Sequence, residues 1–368
     1  MHRHGLFVLL LAAFVPLAGC AGPDAFTPFM SEEKEQRIGA EEHPKILEAF
    51  GGTYEELPAL DRYVRDITER LLTAMGERPA DYTVTVLDSP VVNAFALPGG
   101  YVYVTRGLVA LANDEAELAG VLAHEIAHVT QRHAAVRYHQ QLAGSLGLAI
   151  LGAVVDERAL VDLAQLGSAV FLQGYSRRHE FEADRLGVKT LARAGYDPGA
   201  MERFLAGMGR QARLEARLAG RDPDSVDRFN LLATHPRTPE RVAEARNAAG
   251  VAPDGGRVGR MPYLAQLDGL LYGHSPDQGF VRGRTFSHPE LRVRFTAPEG
   301  FMLHNGTDAV VAHDPDGARM VYTAVRAETD DPLGYLRRVW AKDTGLDGSE
   351  RLTVNGMAAA TGAATART

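Results

Sequence analysis

Asp114-Glu115-Ala116-Glu117-Leu118-Ala119-Gly120-Val121-Leu122-Ala123-His124-Glu125-Ile126-Ala127-His128-Val129 is the stretch that decides the fold. Leu118, Val121, Leu122, Ile126 and Val129 recur at spacings of three and four, so they share one face of a helix. Asn113 or Asp114 caps its start, and the pattern continues to Arg137. Within it, His124-Glu125-Ile126-Ala127-His128 stacks two imidazoles one turn apart on the same side. Such a pair can converge on one cation, and neutral imidazole suits Zn²⁺. Glu125 is rotated by about 100° from His124, which keeps it out of the ligand set and lets it address a water beside the metal. A solvated helix that carried His and Glu by chance would show a polar outer face. Here Val121, Leu122, Ala123, Ile126, Ala127 and Val129 hem the pattern in, and buried His is tolerated far better with a partner.

A catalytic zinc site needs a third protein ligand and one open position. Ser176-Arg177-Arg178-His179-Glu180-Phe181-Glu182-Ala183-Asp184-Arg185-Leu186-Gly187 offers Glu180 and, one turn later on the same face, Asp184. Glu180 can complete the zinc shell, and Asp184 can accept the far ring N–H of a ligand His and so fix its tautomer. Alone, these carboxylates would read as solvated helix charges paired with Arg177, Arg178 and Arg185; the upstream pattern reverses that reading. Glu182 faces elsewhere and reads as a surface charge. His133, five residues past His128 and off the ligand face, reads as structural.

Outward from the site, the helical and strand patterns place a catalytic domain over residues 31–250. Ser31 starts a helix that stops at Gly51-Gly52, and a second runs from about Leu60 to Met75. Tyr82–Leu87 and Tyr101–Thr105 alternate as strands, with Asn93-Ala94-Phe95-Ala96-Leu97-Pro98-Gly99-Gly100 extended between them and ending in a turn. Further helices cover Arg178–Ala194, Met201–Ala219 and Glu240–Asn247. The apolar runs Leu142–Val155 and Ala159–Leu172 are each too short to cross a bilayer, which takes about 20 residues; they read as a helix packed on the core or a flap over a site. Pro253-Asp254-Gly255-Gly256 opens a linker over 251–290. Residues 291–368 read as a small α+β module that ends on the Asn355-Gly356 hairpin signal, with its last strand running out at Thr368.

Composition bounds the rest. With 45% hydrophobic and 23% charged residues among 368, the chain is an ordinary globular protein rather than a disordered or multi-span one. A net charge of −8 without a basic stripe argues against nucleic acid. The single cysteine, Cys20, excludes an intramolecular disulfide. It follows Arg3, the apolar run Gly5–Val15 and Leu17-Ala18-Gly19, which together read as an export signal over residues 1–19. Leu-Ala-Gly-Cys resembles the lipobox of bacterial lipoproteins. That resemblance implies lipidation of Cys20, a tether over 20–30 and, with Ala21 rather than Asp next, the outer membrane.

The two motifs together, with Asn93–Gly100, Arg132-His133 and Thr234-His235-Pro236, resemble the HtpX-like and CAAX prenyl protease-like zinc metallopeptidases, and within them the BepA-like periplasmic lipoprotein branch. The resemblance covers about Ser31 to Asn247. It implies a zincin-type, mostly helical α+β domain with a short sheet and one Zn²⁺ held by His124, His128 and Glu180. Glu125 is then the general base, and Asp184 supports a ligand His. It also implies that His235 lies at the active site, occupying or guarding the open zinc position, and that Asn93, Ala94 and Phe95 form an edge that pairs with peptide. On chemistry alone, His235 could instead polarise the carbonyl or stabilise the oxyanion, or be a satisfied core His. The expected activity is endopeptidase cleavage of misfolded or misassembled envelope proteins in the periplasm. Expected partners are extended or unfolded polypeptides, the outer membrane through its lipid anchor, and outer-membrane assembly machinery. The rival reading is a chaperone or assembly factor with a latent site. After Gly250 the chain departs from the BepA-like proteins, since no 34-residue repeat signature follows.

Overall fold

The computed structural model describes residues 30–137, 174–218, 239–251 and 255–364, apart from 307–308, 315, 328 and 343–344. The expected signal, Cys20 and its tether up to residue 29, the apolar stretch from Leu142 to Leu172, and His235 lie outside the described residues. The chain divides into two compact units. The larger runs to Phe280 and includes His288–Val293; the smaller comprises Val281–Ser287 and the residues from Arg294 on.

In the larger unit, α1 (Glu32–Ala49) and α2 (Pro58–Met75) lead into β1 (Thr83–Leu87), β2 (Ala94–Leu97) and β3 (Tyr101–Thr105). Then come α3 (Arg106–Leu111), α4 (Glu115–Thr130), α5 (Arg177–Arg193), α6 (Ala200–Leu218), α7 (Pro239–Val251) and α8 (Arg260–Gln266). β3 is central, parallel to β1 with Thr83 opposite Tyr101 and antiparallel to β2 with Ala94 opposite Val104, which leaves β2 at an edge. Alternation along the strands divides the side chains between two cores. Val84, Val86, Ala94, Ala96, Val102 and Val104 pack with Leu60, Val64, Ile67 and Leu71 of α2 and with Leu118, Leu122 and Ile126 of α4. Leu87, Phe95, Leu97 and Tyr103 instead meet Ile46 of α1 on the other face. The β2–β3 turn needs glycine twice. Gly99 and Gly100 have φ of 80° and 86°, and a Cβ on Gly100 would lie 2.2 Å from the Asp81 carbonyl oxygen.

α4 is the central element, with every residue from Glu115 to His128 buried. The Asp114 carboxylate caps it by accepting the Glu117 N–H at 2.9 Å, a cap that contributes about 1 kcal/mol. The expectation of one helix through to Arg137 is corrected here. α4 stops at Thr130, Arg132 adopts a left-handed φ of 54°, and residues 133–137 are helical again after the break. The Arg132 guanidinium donates to Glu35 and to the Met30 carbonyl, and these contacts hold a non-glycine residue in that conformation.

The stretch that composition marks as a linker is largely pinned to the larger unit. Arg257 donates to Glu115 at 2.7 Å, Tyr263 is fully buried with its hydroxyl donating to the Val109 carbonyl, and the fully buried Arg106 donates to the carbonyls of Leu271 and Gly273. Apolar anchors at Tyr263, Leu267, Leu270 and Leu271 follow the Pro/Gly stretch directly. Beyond Gly279 most of the regular elements are strands. β4 (Phe280–Arg282), β5 (Thr285–His288) and β6 (Val293–Thr296) form one sheet, and β7 (Met302–Asn305), β8 (Val310–His313) and β9 (Arg319–Tyr322) an antiparallel second. After α9 (Pro332–Tyr335), β10 (Ser349–Val354) pairs with β11 (Met357–Gly362) across Asn355 and Gly356, both at positive φ as a two-residue hairpin demands. None of the described helices is long and apolar enough to cross a membrane.

Candidate metal centre

α4 and α5 cross where Gly187 lies against His124. A Cβ on Gly187 would stand 3.4 Å from the His124 backbone nitrogen and 3.2 Å from Met201 Cε. This close approach brings Asp184, one turn earlier on α5, and Glu180, two turns earlier, onto the imidazoles of α4. Ser176 starts α5 at the required place, its hydroxyl accepting the His179 N–H at 3.3 Å.

The Nε2 atoms of His124 and His128 lie 3.0 Å apart. Glu180 faces both, with Oε2 at 3.6 Å from His124 Nε2 and Oε1 at 3.5 Å from His128 Nε2. One ligand atom from each of the three residues lies within 4.8 Å of the others, and all three residues are buried. Among the described residues this is the one group of His, Cys, Asp and Glu so arranged. His124 Nδ1 is 3.0 Å from Asp184 Oδ1. Burial pushes the Asp184 carboxyl up, but hydrogen bonds from Arg241 and His124 more than offset it and hold the group well below the usual carboxylate range. An ionised Asp184 accepts the proton on His124 Nδ1, so His124 Nε2 presents a lone pair to His128 and Glu180. Two imidazole nitrogens and a carboxylate oxygen turned on one point form a donor set that fits Zn²⁺.

The expected residues therefore meet: His124, His128 and Glu180 converge, Asp184 supports His124, and Glu125 is 2% exposed on the same helix. Glu125 and His124 line a small apolar cavity with Ala94 of β2, Val121, and Met201, Phe204, Leu205 and Met208 beyond. Asn93 and Phe95 are held differently. The Asn93 backbone is locked to Thr105 by N–H to Oγ1 at 3.0 Å, while Phe95 points into the α1-side core. The Phe95 side chain therefore serves the core, and among the described strands β2 pairs only with β3.

Three neighbours were not legible as site residues. Arg241 of α7, 2% exposed, donates from Nε and Nη2 to the two oxygens of Asp184, each at 2.7 Å, and places Nη1 2.6 Å from Glu180 Oε2. Burial disfavours its charge, and Asp184 and Glu180 restore it. Tyr175 stacks on His128 at 3.9 Å between ring centres, and the Arg137 guanidinium lies 4.1 Å from the Tyr175 ring centre. His133, read as structural, sets Nδ1 2.9 Å from Nδ1 of His128. Glu182, read as a surface charge, is 40% exposed and reaches to 3.6 Å from His133 Nε2. The only local signals were the Tyr before Ser176 and a second His after the motif; nothing near Arg241 set it apart from Arg237 or Arg246.

Comparison with known proteins agrees with this geometry. Residues 58–249, just over half of the chain, match the description of Peptidase family M48. The putative beta-barrel assembly-enhancing protease of Vibrio cholerae is 37% identical over 206 residues, covering 53% of this chain and 40% of that protein. The beta-barrel assembly-enhancing protease of Escherichia coli K12 is 32% identical over 201 residues, covering 52% and 39%. The mitochondrial metalloendopeptidase OMA1 of Schizosaccharomyces pombe is 30% identical over 210 residues, covering 55% and 61%. The chain thus spans about two fifths of the length of the bacterial relatives it matches. With the matched span reaching from α2 into α7 and including every residue of the metal group, the chain belongs to peptidase family M48.

Proposed function

We propose that this protein is a zinc-dependent endopeptidase that cleaves extended polypeptide. The observation that carries the reading is the convergence of His124, His128 and Glu180 at one buried point, with Glu125 next to a ligand on α4. Zinc held by His124, His128 and Glu180 would polarise the scissile carbonyl and lower the pKa of the attacking water. Glu125 takes the proton from that water and returns it to the leaving amine. Arg241 holds the carboxylates of Glu180 and Asp184 in place, and Asp184 holds the His124 ring. The edge of β2 gives an extended chain main-chain hydrogen bonds with little demand on its side chains. The cavity beside Glu125, walled by Met201, Phe204 and Met208, receives an apolar side chain flanking the scissile bond. Glu125→Gln should keep its zinc and lose hydrolysis of unfolded casein by about 10²- to 10⁴-fold. Loss of zinc in that variant would make Glu125 a ligand instead.

His235 is proposed to stand at the same site, and the sign of one substitution decides its role. If it guards the open metal position, His235→Ala raises proteolysis at unchanged zinc content. If it stabilises the oxyanion, the same change lowers turnover by about 10²-fold or more.

In the cell, we place the enzyme in the periplasm, lipidated at Cys20 and held at the outer membrane, where it removes misfolded or misassembled envelope proteins. The lipobox-like Leu17-Ala18-Gly19-Cys20 and the names of the bacterial relatives support this placement. Those names also favour a second role in assembling outer-membrane proteins. Cys20→Ser should move the protein from the membrane pellet to the soluble periplasmic fraction with casein hydrolysis intact; unchanged fractionation would remove the anchor from Cys20.

A further inference from the structure

Each ligand imidazole has a partner behind it, and the two partners differ in kind. His124 Nδ1 faces the ionised Asp184, whereas His128 Nδ1 faces the Nδ1 of another imidazole, that of His133, at 2.9 Å. Where no metal stands between them, a contact that short between two ring nitrogens needs a single proton between them. If His128 turns the lone pair of Nε2 to the metal, its own proton sits on Nδ1, and His133 must accept it through an unprotonated Nδ1. The proton of His133 then sits on Nε2, the atom that faces the Glu182 carboxylate at 3.6 Å. At that separation the carboxylate acts through its charge rather than by a direct hydrogen bond. The opposite arrangement would place a proton on His128 Nε2, between it and His124 Nε2 3.0 Å away, where it would block metal binding.

We propose that His133 is a positioning residue for the metal: it accepts the Nδ1 proton of His128, fixes that ring's tautomer and direction, and thereby sets zinc affinity. The inference rests on the metal-centre reading above and extends it to a residue outside the ligand set. His133 is placed to act rigidly. It is 3% exposed, its ring stacks on His179 with centroids 4.3 Å apart and planes within 14°, and His128 is clamped from another side by Tyr175. The left-handed turn at Arg132 brings it there; an uninterrupted α4 would have carried residue 133 round to another face. The chemistry also explains why the partner is neutral. Glu125, Glu180 and Asp184 already bring three carboxylates to the centre, with Arg241 paired to two of them, and an imidazole fixes the tautomer without adding a fourth negative charge.

The test is zinc affinity of the full chain, read by chelator competition with zinc as the probe, alongside thermal unfolding of the zinc-stripped forms. His133→Phe keeps a ring in the stack but has no acceptor, and should weaken zinc binding about 10- to 100-fold, the usual cost of losing such a partner. His133→Asn can place its amide oxygen where Nδ1 stands and should bind zinc close to the wild-type affinity. A merely structural His133 would lower the unfolding temperature in both variants and leave their zinc affinities alike. Equal affinity in wild type and His133→Phe, or equal loss in both variants, overturns the proposal. Should His133→Phe fail to fold, ¹⁵N spectra of the zinc-loaded wild type decide: the proposal requires a proton on His128 Nδ1 and none on His133 Nδ1, and a proton on His133 Nδ1 refutes it. A wild-type chain that binds no zinc would refute the metal centre itself, a separate failure.

Discussion

Arg241 shows how much of this centre depends on one side chain far away in sequence. Its guanidinium forks onto Asp184 and reaches Glu180, so a candidate metal ligand and the support of another share one buried cation. Removing one partner of a buried ionic group leaves uncompensated charge, and Arg241→Ala should cost about 3–5 kcal/mol in denaturant unfolding of the zinc-stripped protein. Arg241→Lys, which keeps the charge but loses the planar fork, should recover only part of that loss. An Arg241→Ala protein as stable as wild type would show that Glu180 and Asp184 do not rely on it. The ligands themselves were legible because helical spacing fixes their relation locally: four residues separate His124 from His128, and four separate Glu180 from Asp184. Arg241, Tyr175 and His133 were not, since each reaches the site through tertiary packing or through a backbone break that spacing does not encode.

At the scale of elements, the function depends on α5 lying close enough to α4, and Gly187 packs directly against the His124 backbone. Gly187→Ala should be mild, since the new methyl meets the movable end of Met201 and gains the helix preference of alanine over glycine, about 0.5–1 kcal/mol. Gly187→Leu should separate the helices and weaken zinc binding, measured by the same chelator competition. Wild-type affinity in Gly187→Leu would mean that the crossing tolerates more distance than the geometry suggests. Periodicity foretold α2, α5 and α6 and the start of α4 to within a few residues, and the glycine pair foretold the turn into β3, because amphipathic spacing and positive φ are written in adjacent residues. The end of α4 was misread because Arg132 carries no sign of a left-handed φ; its reason is Glu35 and Met30, nearly a hundred positions away. Strands β4, β5 and β7 went unread, being only three or four residues long and mostly half exposed.

For the whole molecule, the family match ends at residue 249, but the physical unit does not. Glu115, with no exposed surface, takes hydrogen bonds from Tyr63 at 2.6 Å, Tyr196 at 2.7 Å, Arg70 at 3.2 Å and Arg257 at 2.7 Å at the start of the helix that carries the motif. Arg106 spends its donors on Leu271 and Gly273 as well as Asp88. A chain cut after Val251 would leave Arg106 buried without two acceptors and Glu115 short of a cation, so it should lose cooperative unfolding or several kcal/mol of stability. A chain cut after Gly279 should unfold cooperatively and bind zinc like the full protein; equal stability of the two would make residues 255–279 dispensable. One zinc, held by His124, His128 and Glu180, is proposed to serve Glu125 in peptide hydrolysis. The most direct measurement is casein hydrolysis by chelator-stripped protein titrated with zinc. Wild-type activity should rise from nothing to a plateau at one zinc per chain, while Glu125→Gln stays inactive throughout; full activity without zinc, or in Glu125→Gln at the plateau, would contradict it.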